Sequence, residues 1–147
     1  MPRNNYEEQE QREVVKFLTL AGVRFCHVPN GGKRGRIEAA IFKGLGVQAG
    51  VPDLLIFDPP PFHVSRYDRQ PRYIGTAIEM KARKDQVPGA KPTQAQRQWL
   101  DVLRERGWFT AVCYGAGEAI DLLRGLGYGE VRRHDTQRTH SEPAPPR

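Results

Sequence analysis

The sequence predicts an α/β domain with a mixed central sheet of about four strands flanked by helices. Three observations carry that expectation. Apolar residues recur at helical spacing in four segments, and short β-branched and aromatic runs fall between them. Two of those runs also follow each other with no helix between them. Strands alternating with helices imply a layered α/β arrangement, and the uninterrupted, hairpin-like pair makes the sheet mixed.

The first helix is expected over residues 6–21, where Val14, Phe17, Leu18 and Ala21 form an apolar stripe and Gly22 supplies the stop. Residues 23–28 alternate as a strand, and Pro29-Asn30-Gly31-Gly32 turns the chain. After the basic stretch 33–36, a short helix over 37–45 carries Ile37, Ala40 and Ile41 on one face. Gly46, Gly50 and Pro52 punctuate a loop that opens onto Asp53-Leu54-Leu55-Ile56-Phe57. Such a continuous apolar run suits a strand covered on both faces.

Residues 58–70, with Pro59-Pro60-Pro61, are loop. In the strand predicted for 73–82, Ile74, Thr76, Ile78 and Met80 share one face, while Ala77, Glu79 and Lys81 share the other. Thr93 is the expected N-cap of a helix reaching about residue 106. A strand over 108–114 follows, then a helix over 117–126 bearing Ala119, Ile120, Leu123 and Leu126. From residue 132 only Ala144 is apolar among polar residues and prolines, so the expected domain is 1–131 with a disordered tail over 132–147.

Composition narrows the function. A chain of 147 residues with 38% hydrophobic content buries one core without disulfides or a structural metal. No apolar run approaches the ~18 residues that span a bilayer, and the N-terminus lacks a signal-peptide core, so a membrane or secreted protein is not expected. The net charge is +6, which favours polyanions such as nucleic acid. The tail contributes Arg132, Arg133, Arg138 and Arg147 against Asp135 and Glu142, so most of the surplus lies ahead of it. Cys26 and Cys113 sit in apolar contexts without metal-like spacing and are expected to be buried and reduced.

The residues with chemistry cluster around two strands. Asp53 opens an apolar strand, and a carboxylate there is costly unless something pairs with it. Glu79 and Lys81 project from one face of the next strand. If the strands are neighbours in register, the three side chains converge. Two carboxylates then offer hard oxygen ligands for Mg²⁺ or Mn²⁺, and a lysine beside them serves an attacking water and the charge that builds on a phosphate. Taken singly, an E-x-K on a strand reads as a surface ion pair and an Asp after Pro as a turn; the conjunction singles them out. In the first helix Glu7 and Glu10 each head an apolar face, and Gln96 does the same with Trp99, Leu100 and Leu103.

Other motifs carry less. Asn30-Gly31-Gly32-Lys33 lacks the ending of a phosphate loop. His27, His63, His134 and His140 show no zinc spacing, and His27 reads as an edge-strand residue. There is no G-x-S-x-G elbow.

The segments Glu7–Gln11, Val28–Gly32, Gly46–Leu54, Ile78–Ala82, Gln96–Leu100 and Val112–Gly115 together resemble the VRR-NUC domain of the PD-(D/E)XK nuclease superfamily, in its stand-alone phage and bacterial form. The order Gly-Val-Pro-Asp, E-x-K, Gln-x-x-Trp is the specific part. The resemblance implies a restriction-endonuclease-like core, with Asp53, Glu79 and the Met80 carbonyl binding Mg²⁺ or Mn²⁺. It further implies a catalytic lysine at Lys81, a supporting glutamine at Gln96 and a glutamate from the first helix, Glu7 or Glu10. Thr93-Gln94-Ala95-Gln96 replaces the commoner Ser-Pro-Glu-Gln, which leaves Gln94 as an alternative; the apolar face favours Gln96.

The implied activity is hydrolysis of DNA, structure-specific for branched or Holliday-junction-like substrates, in replication, repair or recombination. A homodimer in the cytoplasm of a bacterial or phage-infected cell, with no small-molecule cofactor, completes the expectation. A catalytically silent DNA-binding module and an RNA-directed nuclease are the alternatives. Among basic clusters, Arg83 and Lys84 follow the E-x-K directly and are the preferred phosphate contacts, with Lys33, Arg34 and Arg36 as a second group. Arg66, Arg69 and Arg72 form a third cluster, with Tyr67 and Tyr73.

Overall fold

A computed structural model describes residues 5–29 and 36–130. Lys33, Arg34 and the expected tail lie outside those residues.

Eight elements follow in the predicted order: α1 (Tyr6–Leu20), β1 (Phe25–His27), α2 (Arg36–Gly44), β2 (Leu54–Ile56), β3 (Gly75–Lys81), α3 (Gln94–Glu105), β4 (Trp108–Tyr114) and α4 (Ala116–Gly125). They form an α/β fold around one mixed, open sheet in the order β1-β2-β3-β4. β1 pairs antiparallel with β2, β2 antiparallel with β3, and β3 parallel with β4 across the α3 crossover.

Strand alternation divides the sheet between two helical layers. Ile78 and Met80 of β3, Leu54 and Ile56 of β2 and Cys113 of β4 form one core with Val14 and Leu18 of α1 and Ala119 and Leu123 of α4. Val14 and Leu18 are fully buried, so the predicted α1 stripe is the face that meets the sheet. Truncating Leu18 to Ala in such a setting costs about 2–5 kcal/mol. Glu79 and Lys81 face the opposite layer, where α3 buries Leu100. Tyr128, beyond α4, locks its hydroxyl between Thr76 Oγ1 at 2.9 Å and the Asp58 carbonyl at 2.6 Å.

Two expectations are corrected. Cys26 is exposed, because β1 is an edge strand that turns Phe25 inward and its neighbour outward; only Cys113 is buried. Ile74 is 55% exposed, since β3 begins at Gly75, two residues later than expected, and leaves it beyond the sheet end. No residue of α2 is buried, and Arg36 at its start is exposed. No described helix is long and apolar enough to cross a membrane.

A candidate active site at the end of β2 and β3

Asp53 directly precedes β2, and the register that pairs Leu54 with Ile78 carries it opposite Glu79. Its Oδ2 accepts the Met80 N–H at 2.8 Å. Pro52, which has no N–H to donate, is buried just ahead of it. The loop reaches this position through Gly50, whose φ is +88°. A Cβ at Gly50 would lie 2.8 Å from the Ala95 Cβ, so the loop is seated on the first turn of α3. Sequence reasoning gave Gly50 only a punctuating role; the contact with α3 that makes it necessary is not local.

Glu79 is 1% exposed. Its Oε1 accepts from Lys81 Nζ at 2.8 Å and from Gln96 Nε2. Gln96 in turn closes a capping box at the start of α3, its Oε1 accepting the Thr93 N–H at 2.8 Å. Gln96, not Gln94, therefore reaches the site. The second oxygen of Glu79, Oε2, is buried without a hydrogen-bond partner among the described residues.

Burial, and then the nearby Asp53 charge, push the Glu79 carboxyl up to about 7. Burial also raises Asp53, against the pull of the Met80 N–H and the Lys81 ammonium. For Lys81, burial opposes the charge, but the hydrogen bond and charge of Glu79 outweigh it and hold its pKa above the usual lysine value. One ammonium is thus shared between two carboxylates that resist full ionisation together.

The first turn of α1 closes the open side. Glu7 lines a groove of about 880 Å³ with Gln11, His27, Asp53 and Met80. Its charge raises the pKa of Asp53, Glu79 and Lys81 alike. Glu10, one turn on, is engaged elsewhere: Oε2 accepts the Ala116 N–H at 2.7 Å and Oε1 accepts from Gln86 at 3.4 Å. His27 also enters the groove, a position that its lack of metal-like spacing in the sequence does not signal. Its Nδ1 lies 2.9 Å from the Asp53 carbonyl and 2.6 Å from the Gln11 amide. The carbonyl only accepts and the Gln11 amide nitrogen only donates, so each tautomer of the ring satisfies one of the two contacts. The β1–β2 register that brings this ring to Asp53 leaves no local trace in the sequence.

The basic residues divide. Arg83 bonds Asp85 at 3.2 Å and lies 3.8 Å from Glu10. Its stem crosses Gly115 so closely that a Cβ there would come within 2.5 Å of Cγ. Lys84 is exposed, with Nζ 4.7 Å from the centre of the Tyr114 ring. Arg36 lies apart from Arg83 and Lys84 in the sequence, exposed at the start of α2.

Among the described residues, no three His, Cys, Asp or Glu side chains converge tightly enough to hold an ion by themselves. A hard ion such as Mg²⁺ keeps several waters and needs only one or two carboxylates, so Asp53 and Glu79 fit that requirement. The unsatisfied Glu79 Oε2 is an oxygen left free for it.

This architecture, a mixed sheet with the acids and lysine at one end of its central strands, is a restriction-endonuclease-like fold. The VRR-NUC domain family model matches residues 5–117, and the chain belongs to that family. A solved structure described as a VRR_NUC domain protein is 25% identical and superposes with a TM-score of 0.59, covering 84% of this chain and 89% of that one. No curated protein matches the chain.

Proposed function

We propose that the chain is an endonuclease that hydrolyses DNA phosphodiester bonds with Mg²⁺ or Mn²⁺, acting on branched DNA as a homodimer. The observation that carries this reading is the facing pair Asp53 and Glu79, with Lys81 Nζ 2.8 Å from Glu79 and Glu79 Oε2 unpartnered.

Asp53 and Glu79 hold the ion. The Lys81 carbonyl accepts from Gly115 on the β4 side, so the Met80 carbonyl, one residue earlier, turns the other way, towards Asp53, as a third oxygen. When bound, a divalent ion acidifies a coordinated water and offsets charge on the phosphate. Lys81 orients the attacking water and meets the charge that develops on the phosphoryl oxygens. Gln96 fixes the Glu79 carboxylate, and Glu7 supplies the carboxylate from α1, since Glu10 is committed to α4. Lys84, with Arg83 beside it, meets the backbone of the bound strand; Arg36 on α2, with Lys33 and Arg34 outside the described residues, is a second group offered to phosphates.

The homodimer reading is supported by α2. Ile37 is 80% and Ile41 57% exposed, at a spacing that puts them on one side of a nine-residue helix, and Leu45, directly after it, is 75% exposed. A helix so short draws its stability from packing, and a second copy of the same face supplies it about a two-fold axis.

The test incubates the protein with four-way, flap and linear DNA, and with the matching RNA, in Mg²⁺, in Mn²⁺ and in a chelator. Cleavage of branched DNA that the chelator stops is expected. Binding without cleavage in either metal favours a silent DNA-binding module, and cutting confined to RNA overturns the DNA assignment.

A further inference from the structure

The connection between β2 and β3 is built as a rigid hairpin rather than a slack loop. Val64 pairs with Pro71 in an antiparallel bridge. The Arg72 N–H donates to the His63 carbonyl at 2.7 Å, and the Ser65 N–H to the Gln70 carbonyl at 2.9 Å. Ser65 Oγ accepts the Tyr67 N–H at 3.3 Å, and Asp68 Oδ1 accepts the Gln70 N–H at 3.0 Å. At its foot, the rings of His63, Tyr73 and Phe109 meet in pairs, which ties the hairpin to β4. Arg69 adopts a φ of +56°, the left-handed region that a side chain rarely enters, and its neighbours hold it there.

The rigid tip presents one ring fully to solvent: Tyr67 is 102% exposed. Arg66, Arg69 and Arg72 lie on the same hairpin, all exposed, and none is ion-paired to a described residue. Phe57, 52% exposed, and Ile74 extend the apolar surface at the same end of the sheet. A tyrosine buries a large apolar area when it finds a partner; here the backbone is ordered to withhold it from the core.

We propose that this hairpin binds an unpaired nucleic-acid strand, Tyr67 stacking on a base while Arg66, Arg69 and Arg72 take its phosphates. Exposed aromatic faces interleaved with cations suit single strands, because every unpaired base has a face to stack and every linkage a charge to meet. A duplex hides those faces. An acidic protein surface would satisfy the guanidiniums but gives the isolated ring no stacking partner. The hairpin leaves the sheet at Gly75, and Glu79, with Asp53 opposite it, lies four strand residues further on, about 13 Å from the hairpin's foot. Tyr67 therefore meets a part of the substrate well away from the cut, such as the single-stranded arm of a branched molecule. The inference rests on the nuclease reading for the identity of that substrate, but not for the binding itself.

Binding of the full chain to a labelled flap duplex with a thymidine arm, and to a blunt duplex, is measured by fluorescence anisotropy in a chelator, where nothing is cut. Tyr67→Ala is expected to weaken flap binding about tenfold and leave blunt-duplex binding unchanged, while Tyr67→Phe keeps both. Replacing Arg66, Arg69 and Arg72 together by Ala lowers the slope of log affinity against log salt on the flap by about 2. Flap affinity in Tyr67→Ala that equals that of the parent chain overturns the inference, as does an equal loss on both substrates. Cleavage is scored separately. A chain that grips flaps through Tyr67 yet cuts nothing keeps this inference and loses the nuclease reading; one that cuts with no Tyr67-dependent grip does the reverse.

Discussion

Gln96 uses the two ends of one amide for two purposes: its oxygen caps the first turn of α3, and its nitrogen holds Glu79 Oε1. The start of α3 and the orientation of the buried carboxylate are therefore a single structural fact. Gln96→Ala removes both bonds, and a loss of roughly 1–2 kcal/mol in urea unfolding is expected. Gln96→Glu restores the cap but brings a like charge to Glu79, so it should recover stability at pH 5 more fully than at pH 8.

Lys81→Ala is expected to lower cleavage of branched DNA by at least ~100-fold. Affinity for the same DNA in a chelator should fall little, because exposed cations rather than this buried ammonium meet the backbone. Loss of cleavage and binding together, with an intact melting transition, would assign Lys81 to substrate binding instead.

The elevated Glu79 carboxyl makes stability depend on pH in a stated direction. In the folded chain it keeps its proton up to about 7, whereas its ordinary value is 4.5. Between those values the folded state binds more protons than the unfolded one, so stability is greatest below the lower value and falls as pH rises towards 7. The metal-free melting temperature should drop from pH 5 to pH 7.5, and Glu79→Gln should flatten that slope. Divalent-ion affinity, read by calorimetry, should climb over the same interval because the ion competes with the proton.

Gly50→Ala inserts a Cβ 2.8 Å from the Ala95 Cβ at a φ of +88°. The expected destabilisation is about 1–3 kcal/mol. Because the loop must lift from α3, Asp53 moves with it, and ion affinity should fall further than in a surface control such as Gly44→Ala, whose Cβ meets nothing within 4 Å.

Ile41→Glu places a charge in the middle of the exposed α2 stripe. Sedimentation should report a dimer for the parent chain and a monomer for the variant, with each monomer keeping its melting transition. A monomeric parent chain at assay concentrations would remove the homodimer proposal.

The elements were legible in the sequence where period alone decides them. Val14 and Leu18 announce the inner face of α1, and Thr93 announces the start of α3. The carboxylates and lysine were also legible as a set, since two residues on one strand share a face whatever surrounds them. What required the folded chain was every choice between local equals. Glu7 and Glu10 lie one turn apart on the same helix, and contacts from far along the chain, with Ala116, Gln86 and Arg83, separate their surroundings. Arg83 reads as a free cation until Asp85 and Glu10 are seen beside it. Cys26 reads as a core residue until β1 is seen to be the sheet's edge.

The opposite edge of the sheet has a different implication. β4 presents seven residues, Trp108–Tyr114, with no charge and no proline, and among the described residues one side of its backbone has no neighbouring strand. Sequences of that kind pair readily with copies of themselves once their flanking layers loosen. α3 and α4 thus act as guards against aggregation. A variant that frays either helix should come out of solution as β-rich assemblies before a simple unfolding transition is seen, so the yield of soluble protein would register damage to the Thr93–Gln96 cap ahead of any assay of chemistry.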